Sequence, residues 1–265
     1  MRLGFVGAGR MGRPMVHRLV AAGYRVQALG RSFPAREALT TDGARAVPSA
    51  AAAGAGADVV LICVYTDEQV RDVCLDSELL AGMPSGSVLV VHTTCSPHTI
   101  EAVAARAAPH GIDVVDAPVS GGPHDIAAAR LTLFAGGAGD ALARVQPVLQ
   151  AYGDPILHVG PLGAGQRVKL VNNALFAAQL GLLTDAARLG TQLGVDEAVL
   201  LGALSHGSAA SRALAGAVPR GSVGLFIAAA SDFLGKDVAV VRDIAAEMGA
   251  DLGAVGDMIN GIDAG

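Results

Sequence analysis

Several residue types that carry recognisable chemistry are scarce in this 265-residue chain. It has no tryptophan, and aromatic residues make up only 3% of it. Cys63, Cys74 and Cys95 are an odd number of cysteines at unrelated spacings, so they predict neither a disulfide framework nor a metal site. No run of basic residues is present and the net charge is -5, which disfavours a nucleic-acid partner.

Signals for secretion and for membrane insertion are also missing. Met1-Arg2-Leu3-Gly4 leads directly into a strand-like segment rather than into the apolar core of a signal peptide. The longest stretch without Asp, Glu, Lys or Arg, from Leu79 to Ile100, is interrupted by Pro84 and Pro97, so it does not predict a membrane span. We therefore expect a protein of the reducing cytoplasm with no membrane partner.

A large hydrophobic core is available, because 52% of the residues are hydrophobic and the mean hydropathy is +0.47. In the first part of the chain, apolar runs alternate with helical segments. The runs predict strands at 2–7, 25–29, 45–47, 58–64, 87–91, 112–115, 131–135 and 155–159. This repetition predicts an α/β domain with a doubly wound parallel sheet over residues 1–161.

The rest of the chain is predicted to be helical. From Gly165 to Leu193 there is no proline and, after Gly165 itself, there are only two glycines, which predicts one helix about 40 Å long. Between Ala174 and Leu183 the one polar side chain is Gln179, so we expect this part to be buried on several sides. With further helices at about 196–204, 211–218 and 231–248, residues 162–265 form an all-helical domain joined through the long helix.

The first strand leads into a glycine-rich turn that opens a helix. Its G-x-G-x-x-G pattern allows a tight turn and a close approach of the backbone to a pyrophosphate, whose charge the helix N-terminus favours. The hexapeptide alone is a weak signal, but its position at the first strand predicts a dinucleotide cofactor. The residues expected to bind it are Gly7, Ala8, Gly9, Arg10, Met11 and Gly12.

The end of the second strand, Gly30-Arg31-Ser32, bears on the choice between NADP and NAD. An NAD site usually has Asp or Glu near this point for the ribose 2′-hydroxyl, but the first acidic residue is Glu37, in the next helix. Arg31 and Ser32 suit a 2′-phosphate, because a guanidinium pairs with phosphate in a forked geometry. Stacking of Arg31 on the adenine, or exposure to solvent, is the alternative. The sequence favours NADP, with NAD as the alternative cofactor.

Other candidate cofactor residues follow later strands, since ligands bind beyond the carboxyl ends of parallel strands. Val64 is the last residue of the fourth strand and Tyr65 and Thr66 follow it; all three are expected to border the cofactor. Thr94 follows the fifth strand and is expected to contact it. Ser96 is expected to cap the helix that begins at Pro97.

Two further groups suit the chemistry of a small anion. The hydroxyl and amides of Ser120-Gly121-Gly122 form a nest for a carboxylate, although an ordinary turn has the same pattern. Lys169 and Asn173 lie four residues apart and therefore on one face of the long helix, where they look catalytic; a surface lysine is the alternative. His92 is expected to be structural, and Lys236-Asp237 alone has the pattern of a surface pair.

Together these segments resemble the β-hydroxyacid dehydrogenase family, which includes 3-hydroxyisobutyrate dehydrogenases, tartronate semialdehyde reductases, glyoxylate/succinic semialdehyde reductases and 6-phosphogluconate dehydrogenases. The resemblance covers essentially the whole chain. It rests on segments in the family's order: Gly7 to Met15, Thr93 to Pro97, Asp116 to Gly122, Gly160 to Asn173, Gly207 to Ser211, and Lys236-Asp237.

The resemblance implies a Rossmann domain followed by an all-helical domain, and a homodimer or homotetramer. The implied reaction moves hydride between NADP or NAD and a small β-hydroxyacid or its semialdehyde. It implies that Lys169 is the general acid/base, which requires a lysine pKa nearer neutrality than usual. The other implied roles are carboxylate binding and substrate orientation by Ser120, Gly121, Gly122 and Asn173, and cofactor contact by Thr94 and Lys236.

The chain departs from the family pattern at three places. It stops soon after 257–260, earlier than typical members, so the family's last helix is in doubt. Pro123-His124-Asp125 stand where members near 3-hydroxyisobutyrate dehydrogenase have small residues, and they either line the substrate cavity or cap the next helix. Gly30 precedes Arg31 where many NADP-preferring members have Asn.

Two other functions fit the same architecture. Imine reductases share it but usually lack a lysine at the position of Lys169. A nonenzymatic NADP-binding scaffold would not need Lys169, Asn173 and Ser120 together. The presence of these residues favours a dehydrogenase.

Overall fold

The computed structural model describes residues 1–263 and divides into two compact units, Met1–Lys169 and a second unit that begins at Leu170. Each unit has its own hydrophobic core. The division lies inside one continuous helix, eight residues after the boundary placed between residues 161 and 162 from the sequence.

The first unit is built on one nine-stranded sheet. Its strands are β1 (Arg2–Val6), β2 (Arg25–Leu29), β3 (Arg45–Val47), β4 (Val59–Ile62), β5 (Val88–Val91), β6 (Asp113–Asp116), β7 (Val119–Ser120), β8 (Leu131–Gly136) and β9 (Gly153–Gly160). The order is β3-β2-β1-β4-β5-β6-β8-β7, with β9 paired to β8. From β3 to β6 all neighbours are parallel, as the sequence predicts.

Beyond β6 the sheet is not wholly parallel. β8 runs antiparallel to both β6 and β7, and β9 runs parallel to β8. The short connection between Ser120 and Leu131 accounts for the reversal, because a parallel crossover needs a dozen or more residues, usually with a longer helix.

Helices cover both faces of the sheet. They are α1 (Gly12–Ala21), α2 (Phe33–Thr41), α3 (Ala50–Gly54), α4 (Asp67–Cys74), α5 (Leu79–Gly82), α6 (Pro97–Ala107), α7 (Pro123–Ala127) and α8 (Gly139–Leu149). On β4, Val59 and Leu61 join one buried cluster, while Val60 and Ile62 join the other. This is why the strand is continuously apolar: both of its faces are covered.

The second unit is helical. The long helix α9 (Ala164–Gln192) leads into α10 (Glu197–Leu204), α11 (Arg212–Ala217), α12 (Val223–Glu247) and α13 (Gly253–Asp263). Its core includes Leu180, Leu201, Leu214, Val238 and Ile259. α12 begins before the predicted start at residue 231, because the Ser222 hydroxyl caps it by accepting the Leu225 N–H.

The expectation that α9 is buried on several sides between residues 174 and 183 is wrong for one face. Leu175 and Leu182 are 50% and 54% exposed, whereas Ala177 and Leu180 are fully buried.

Within residues 1–263, no single helix combines the length and the apolarity that crossing a membrane requires. One bent pair of helices, 212–220 with 223–231, meets that criterion only when the two helices are counted together.

Candidate active site

The glycine-rich turn has the geometry that the sequence pattern requires. Gly7 has φ +99°, and a Cβ there would lie 2.8 Å from the Val64 nitrogen, so only glycine fits between β1 and the end of β4. A Cβ on Gly12 would collide with the Gly7 carbonyl and lie 2.8 Å from the Phe5 ring. A Cβ on Gly9, in contrast, would meet no atom within 4 Å.

The open side of Gly9 is where a ligand can approach the backbone. Ala8 and Met11 pack against the sheet core, so they offer the turn their backbone, and Arg10 is exposed. α1 begins at Gly12 with no acidic residue in its first turn, so its N-terminus is free to favour an anion. These residues fit a dinucleotide pyrophosphate.

Two arginines, Arg31 and Arg36, lie close in sequence to the end of β2. Arg31 is exposed, whereas Arg36 folds back so that its Nη1 donates to the Gly30 carbonyl at 3.1 Å. A Cβ on Gly30 would lie 3.1 Å from the Arg36 Cα, which accounts for glycine there. The Ser32 hydroxyl caps α2 by accepting the Ala35 N–H at 3.3 Å. Sequence reasoning missed Arg36, because the pattern did not show that its helix turns it back to the strand end.

The segments after β4 and β5 are tied together. The Thr93 hydroxyl donates to the Val64 carbonyl at 3.0 Å, which brings the predicted cofactor residues of both segments to one edge of the sheet. Tyr65 is 55% exposed, and Thr94 is 8% exposed. The Thr66 hydroxyl caps α4 by accepting the Gln69 N–H at 3.2 Å, so its side chain is engaged in the protein.

Ser96 caps α6, as the sequence predicts: its hydroxyl accepts the His98 N–H at 3.2 Å.

The Ser120-Gly121-Gly122 turn is only partly available to a ligand. Gly121 has φ +128°, and the Gly122 N–H donates to Asp125 Oδ2 at 2.8 Å. The Gly122 amide, which is expected to bind a substrate carboxylate, is thus bonded in this structure to a carboxylate of the protein itself, and its role in substrate binding stays a prediction. His124 Nε2 lies 3.2 Å from Asp125 Oδ1. No side chain or backbone group that the structure describes forms a hydrogen bond with the Ser120 hydroxyl.

The first turn of α9 is anchored to the sheet by two buried side chains that sequence reasoning did not single out. Asp116, the last residue of β6, is fully buried and accepts the Gly163 N–H at 2.7 Å and the Gln166 N–H at 2.8 Å. Burial raises the pKa of Asp116, and the two N–H donors partly offset this. Gln166 is also fully buried. The sequence signal for Asp116 is a charged residue at the end of an apolar strand, whereas Gln166, between Gly165 and Arg167, has no such signal.

Lys169 and Asn173 follow on successive turns of α9. Lys169, the last residue of the first unit, is 8% exposed, so the surface-lysine alternative is wrong. Asn173 is 7% exposed, and its Nδ2 is buried without a hydrogen-bond partner in the described part of the chain. Since buried polar groups are normally satisfied, this N–H donor is a candidate to bind a ligand acceptor. In the second unit, Lys236 forms an ion pair with Asp237 at 3.1 Å.

His92 is structural, as expected, and its partners are now defined. Its Nδ1 lies 2.7 Å from the Ala117 carbonyl and its Nε2 lies 2.8 Å from the Tyr152 hydroxyl. Burial lowers the pKa of His92 to about 4 and raises the pKa of Tyr152. The ring therefore remains neutral and joins β5, the segment after β6 and the segment after α8.

A cleft of about 460 Å³ lies elsewhere in the first unit, beside the outer face of α1. Arg13, His17, Arg18 and Asp42 contribute to its lining. Arg13 is already paired with Asp42 at 2.6 Å, and Arg18 donates to the Ala151 carbonyl. The fingerprint glycines are not part of this cleft. Among the His, Cys, Asp and Glu side chains that the structure describes, no group of three could hold a metal ion.

Comparison with known proteins agrees with this geometry. Residues 2–160 match the family model described as "NAD binding domain of 6-phosphogluconate dehydrogenase", and residues 163–258 match "NAD-binding of NADP-dependent 3-hydroxyisobutyrate dehydrogenase". With the parallel sheet and the open glycine turn, these matches define an oxidoreductase that uses a nicotinamide cofactor. The chain belongs to the β-hydroxyacid dehydrogenase family.

Individual relatives support this assignment. The chain is 36% identical over 214 residues to the NAD-dependent L-serine dehydrogenase of Pseudomonas aeruginosa. The aligned residues cover 80% of this chain and 72% of the relative. The structure of Mycobacterium tuberculosis 3-hydroxyisobutyrate dehydrogenase with L-serine matches with TM-score 0.88 and 30% identity, over 99% of this chain and 92% of that one. An imine reductase from Pseudomonas sp. has TM-score 0.69 and 23% identity over 98% of this chain and 91% of that one, which shows a shared fold.

Proposed function

We propose that this protein is an NADP-dependent dehydrogenase of small β-hydroxyacids, or a reductase of the matching semialdehydes, with Lys169 as the general acid/base. The observation that carries the proposal is the pairing of two buried polar residues on successive turns of α9. Lys169 is almost fully buried, and the Asn173 Nδ2 lacks a hydrogen-bond partner within the described residues. A buried N–H donor without an acceptor destabilises the folded protein, unless a bound ligand supplies the acceptor.

Lys169 handles the proton in this scheme. In oxidation, neutral Lys169 accepts the proton of the substrate hydroxyl at Nζ, and in reduction the ammonium returns it to the oxygen. The nicotinamide, when bound, supplies the hydride chemistry. Asn173 donates from Nδ2 to a substrate oxygen and fixes its orientation, while Ser120 and the Gly121 amide bind the substrate carboxylate. These roles rest on the family resemblance together with the burial of the side chains.

A preference for NADP is supported by charge at the end of β2. Arg31 is exposed there, and Arg36 lies within hydrogen-bond distance of the Gly30 carbonyl. Two guanidinium groups near one strand end suit a 2′-phosphate better than a 2′-hydroxyl. The L-serine dehydrogenase relative is named as NAD-dependent, so NAD is the alternative.

We also propose that the protein is a homodimer or homotetramer. Support comes from α9, where Leu175, Leu182 and Leu189 recur every seven residues and are 50%, 54% and 54% exposed. Residues at this spacing share one helix face, and an exposed apolar face of this kind is typical of an association surface. The cytoplasmic location expected from the sequence remains a prediction.

Steady-state turnover tests the reaction. The wild-type protein is assayed with NADPH and NADH against glyoxylate, succinic semialdehyde, methylmalonate semialdehyde and tartronate semialdehyde, and in reverse with the hydroxyacids, including L-serine. Turnover that is lost in both Lys169→Ala and Lys169→Arg would support the acid/base role, because arginine keeps the positive charge but does not give up its proton near neutral pH. Arg188→Ala, an exposed change on the same helix, is the control and should retain activity.

The outcomes separate the competing functions. A nonenzymatic scaffold would bind NADPH equally in the wild type and in Lys169→Ala and would turn over nothing in either. An imine reductase would reduce cyclic imines and would not depend on Lys169. Turnover of a hydroxyacid that survives Lys169→Ala would overturn the assigned role of the lysine while leaving the reaction class intact.

A further inference from the structure

The side-chain amide of Gln166 joins the first turn of α9 to the segment that follows β5. Its Oε1 accepts the Cys95 N–H at 3.0 Å, and its Nε2 donates to the Thr93 carbonyl at 2.9 Å. Both bonded groups belong to the backbone on either side of Thr94. The side chain is fully buried, so these bonds form away from water, where they are strongest.

The Gln166 backbone is fixed at the same point. Its N–H donates to Asp116 Oδ2 at 2.8 Å, and the Gly163 N–H donates to Asp116 Oδ1 at 2.7 Å. The residue is thus held by β6 through its backbone, and it holds the segment after β5 through its side chain. Lys169 lies three residues further along α9, close to one turn away and on a neighbouring part of the same face.

We propose that Gln166 is a positioning residue for the reaction, and that it sets the placement of Thr94 relative to Lys169. Thr94 is expected to contact the cofactor, and Lys169 is proposed to carry the proton, so Gln166 would fix the distance between the cofactor and the acid/base. This inference rests on the proposed function. Misplacing reacting groups by about 1 Å costs on the order of a hundredfold in rate.

The chemistry of the two bonds explains why an amide is needed. A glutamine offers one acceptor to Cys95 and one donor to Thr93. An ionised glutamate would set a second acceptor against the Thr93 carbonyl, whereas a protonated glutamate would restore the donor. Burial and the facing carbonyl both favour the protonated form. A glutamate at this position should therefore work when protonated and fail when ionised.

The test compares Gln166→Met, which has a similar volume and neither bond, with Gln166→Glu. We expect Gln166→Met to fold, to bind NADPH within a few fold of wild type, and to lose on the order of a hundredfold in kcat with a much smaller change in KM. Gln166→Glu should exceed Gln166→Met at low pH, and its kcat relative to wild type should fall as the pH rises. Activity of Gln166→Glu that persists at all pH values, with Gln166→Met impaired, would mean that the acid stays protonated, and it also supports the proposal.

Gln192→Glu is the matched control, since it makes the same chemical change at an exposed site on the same helix. Its pH profile should follow that of the wild type. The proposal is overturned if folded Gln166→Met keeps wild-type kcat, or if Gln166→Glu and Gln166→Met are equally impaired at every pH. If Gln166→Met does not fold, the pH dependence of kcat in Gln166→Glu, compared with that in Gln192→Glu, still tests the proposal.

Failure of the proposed function is recognised separately. A wild-type protein that turns over no substrate overturns the function, but not the placement of Thr94 by Gln166. In that case the dissociation constant for NADPH is measured, because Thr94 is expected to border the cofactor. We expect NADPH to bind Gln166→Glu more weakly, relative to Gln192→Glu, as the pH rises; a constant ratio with unchanged affinity in Gln166→Met would overturn the inference.

Discussion

Gly9 differs from the other fingerprint glycines in a way that a single methyl group can reveal. Gly7 and Gly12 face backbone atoms of the protein, whereas a Cβ placed on Gly9 would meet, beyond its neighbours along the chain, no described atom within 4 Å. The space at Gly9 is therefore available to a ligand and is not required for folding. Cofactor binding and folding should respond differently to substitution at these positions.

We expect Gly9→Ala to keep the thermal midpoint of the unliganded protein and to weaken NADPH binding by on the order of tenfold or more, because the methyl group blocks approach to the backbone. Gly12→Ala is the matched comparison and should lower the midpoint, since its Cβ collides with the Gly7 carbonyl. Differential scanning fluorimetry and NADPH titration measure the two effects. Unchanged affinity in Gly9→Ala would place the pyrophosphate elsewhere.

Asp125 is a second residue whose effect can be isolated, because its carboxylate occupies the Gly122 amide. A substrate carboxylate that uses the Ser120-Gly121-Gly122 turn must displace it or bind beside a like charge. We expect Asp125→Ala to lower KM for hydroxyacids several-fold while leaving the NADPH affinity unchanged. Asp125→Asn keeps an acceptor for the Gly122 N–H but removes the negative charge. Comparing it with Asp125→Ala therefore separates the effect of the occupied amide from the effect of charge repulsion on the substrate carboxylate. A higher KM in Asp125→Ala would show that Asp125 supports the substrate site.

His92 makes stability depend on pH with a defined sign. Its pKa is lowered by burial to about 4 from an ordinary 6.5, so the unfolded chain binds a proton more readily. The stability contributed by the neutral ring is complete above pH 6.5 and is lost as the pH falls toward 4, by roughly 3 kcal/mol in total. Asp116, whose pKa is raised by burial, contributes with the opposite sign.

Comparison of variants isolates this effect. Urea unfolding between pH 4 and 7 should show that His92→Leu is less stable than wild type at pH 7 and has a shallower decline toward pH 4. His206→Gln, at an exposed position, should decline in parallel with wild type. A parallel decline in His92→Leu would show that other groups govern the acid limb.

At the scale of elements, the long helix α9 has an exposed apolar face that packing among the described residues does not account for. The face with Leu175, Leu182 and Leu189 is half exposed, although the opposite side of the helix contributes Leu180 to the core of the second unit. An apolar stripe in water is unfavourable by roughly 25 cal/mol for each Å² left exposed, so covering it stabilises an assembly. The stripe gives the proposed oligomer a specific test.

We expect Leu182→Glu to lower the mass measured by light scattering after size-exclusion chromatography, because a charge on the stripe opposes its burial. Thr184→Glu, also exposed and on another side of α9, should retain the wild-type mass. Circular dichroism should show both variants folded. Equal masses in the wild type and both variants would exclude this face from an interface.

At the scale of the whole molecule, the parallel half of the sheet was predictable because burial on both faces makes its strands continuously apolar. The reversal of β8 was not, since it depends on the length of the connection after Ser120 rather than on the pattern of the strand. Short helices such as α3, over an alanine tract, carry no periodicity that distinguishes them from a loop.

The site was predictable where motifs state backbone requirements, as at Gly7 and Gly12. It was not predictable where a side chain binds a backbone group that no motif points to, as Gln166 does with Thr93 and Asp125 does with Gly122. Asp125 is close in sequence to its partner, yet its effect emerges only from the angle at which α7 begins. The lack of a hydrogen-bond partner for the Asn173 Nδ2 among the described residues likewise depends on how the surrounding residues pack, which the sequence of one helix does not reveal.

The chain contains only two lysines, Lys169 and Lys236, and every other one of its 19 basic residues is arginine. Arginine remains charged throughout the accessible pH range, so these two side chains are the only ε-amines that can titrate. Labelling lysine with nitrogen-15 at Nζ alone would therefore give a spectrum with two signals, one from a nearly buried amine and one from an amine paired with Asp237. The protonation of Lys169 can then be followed directly, without assigning any other resonance, in the free protein and as each ligand is added.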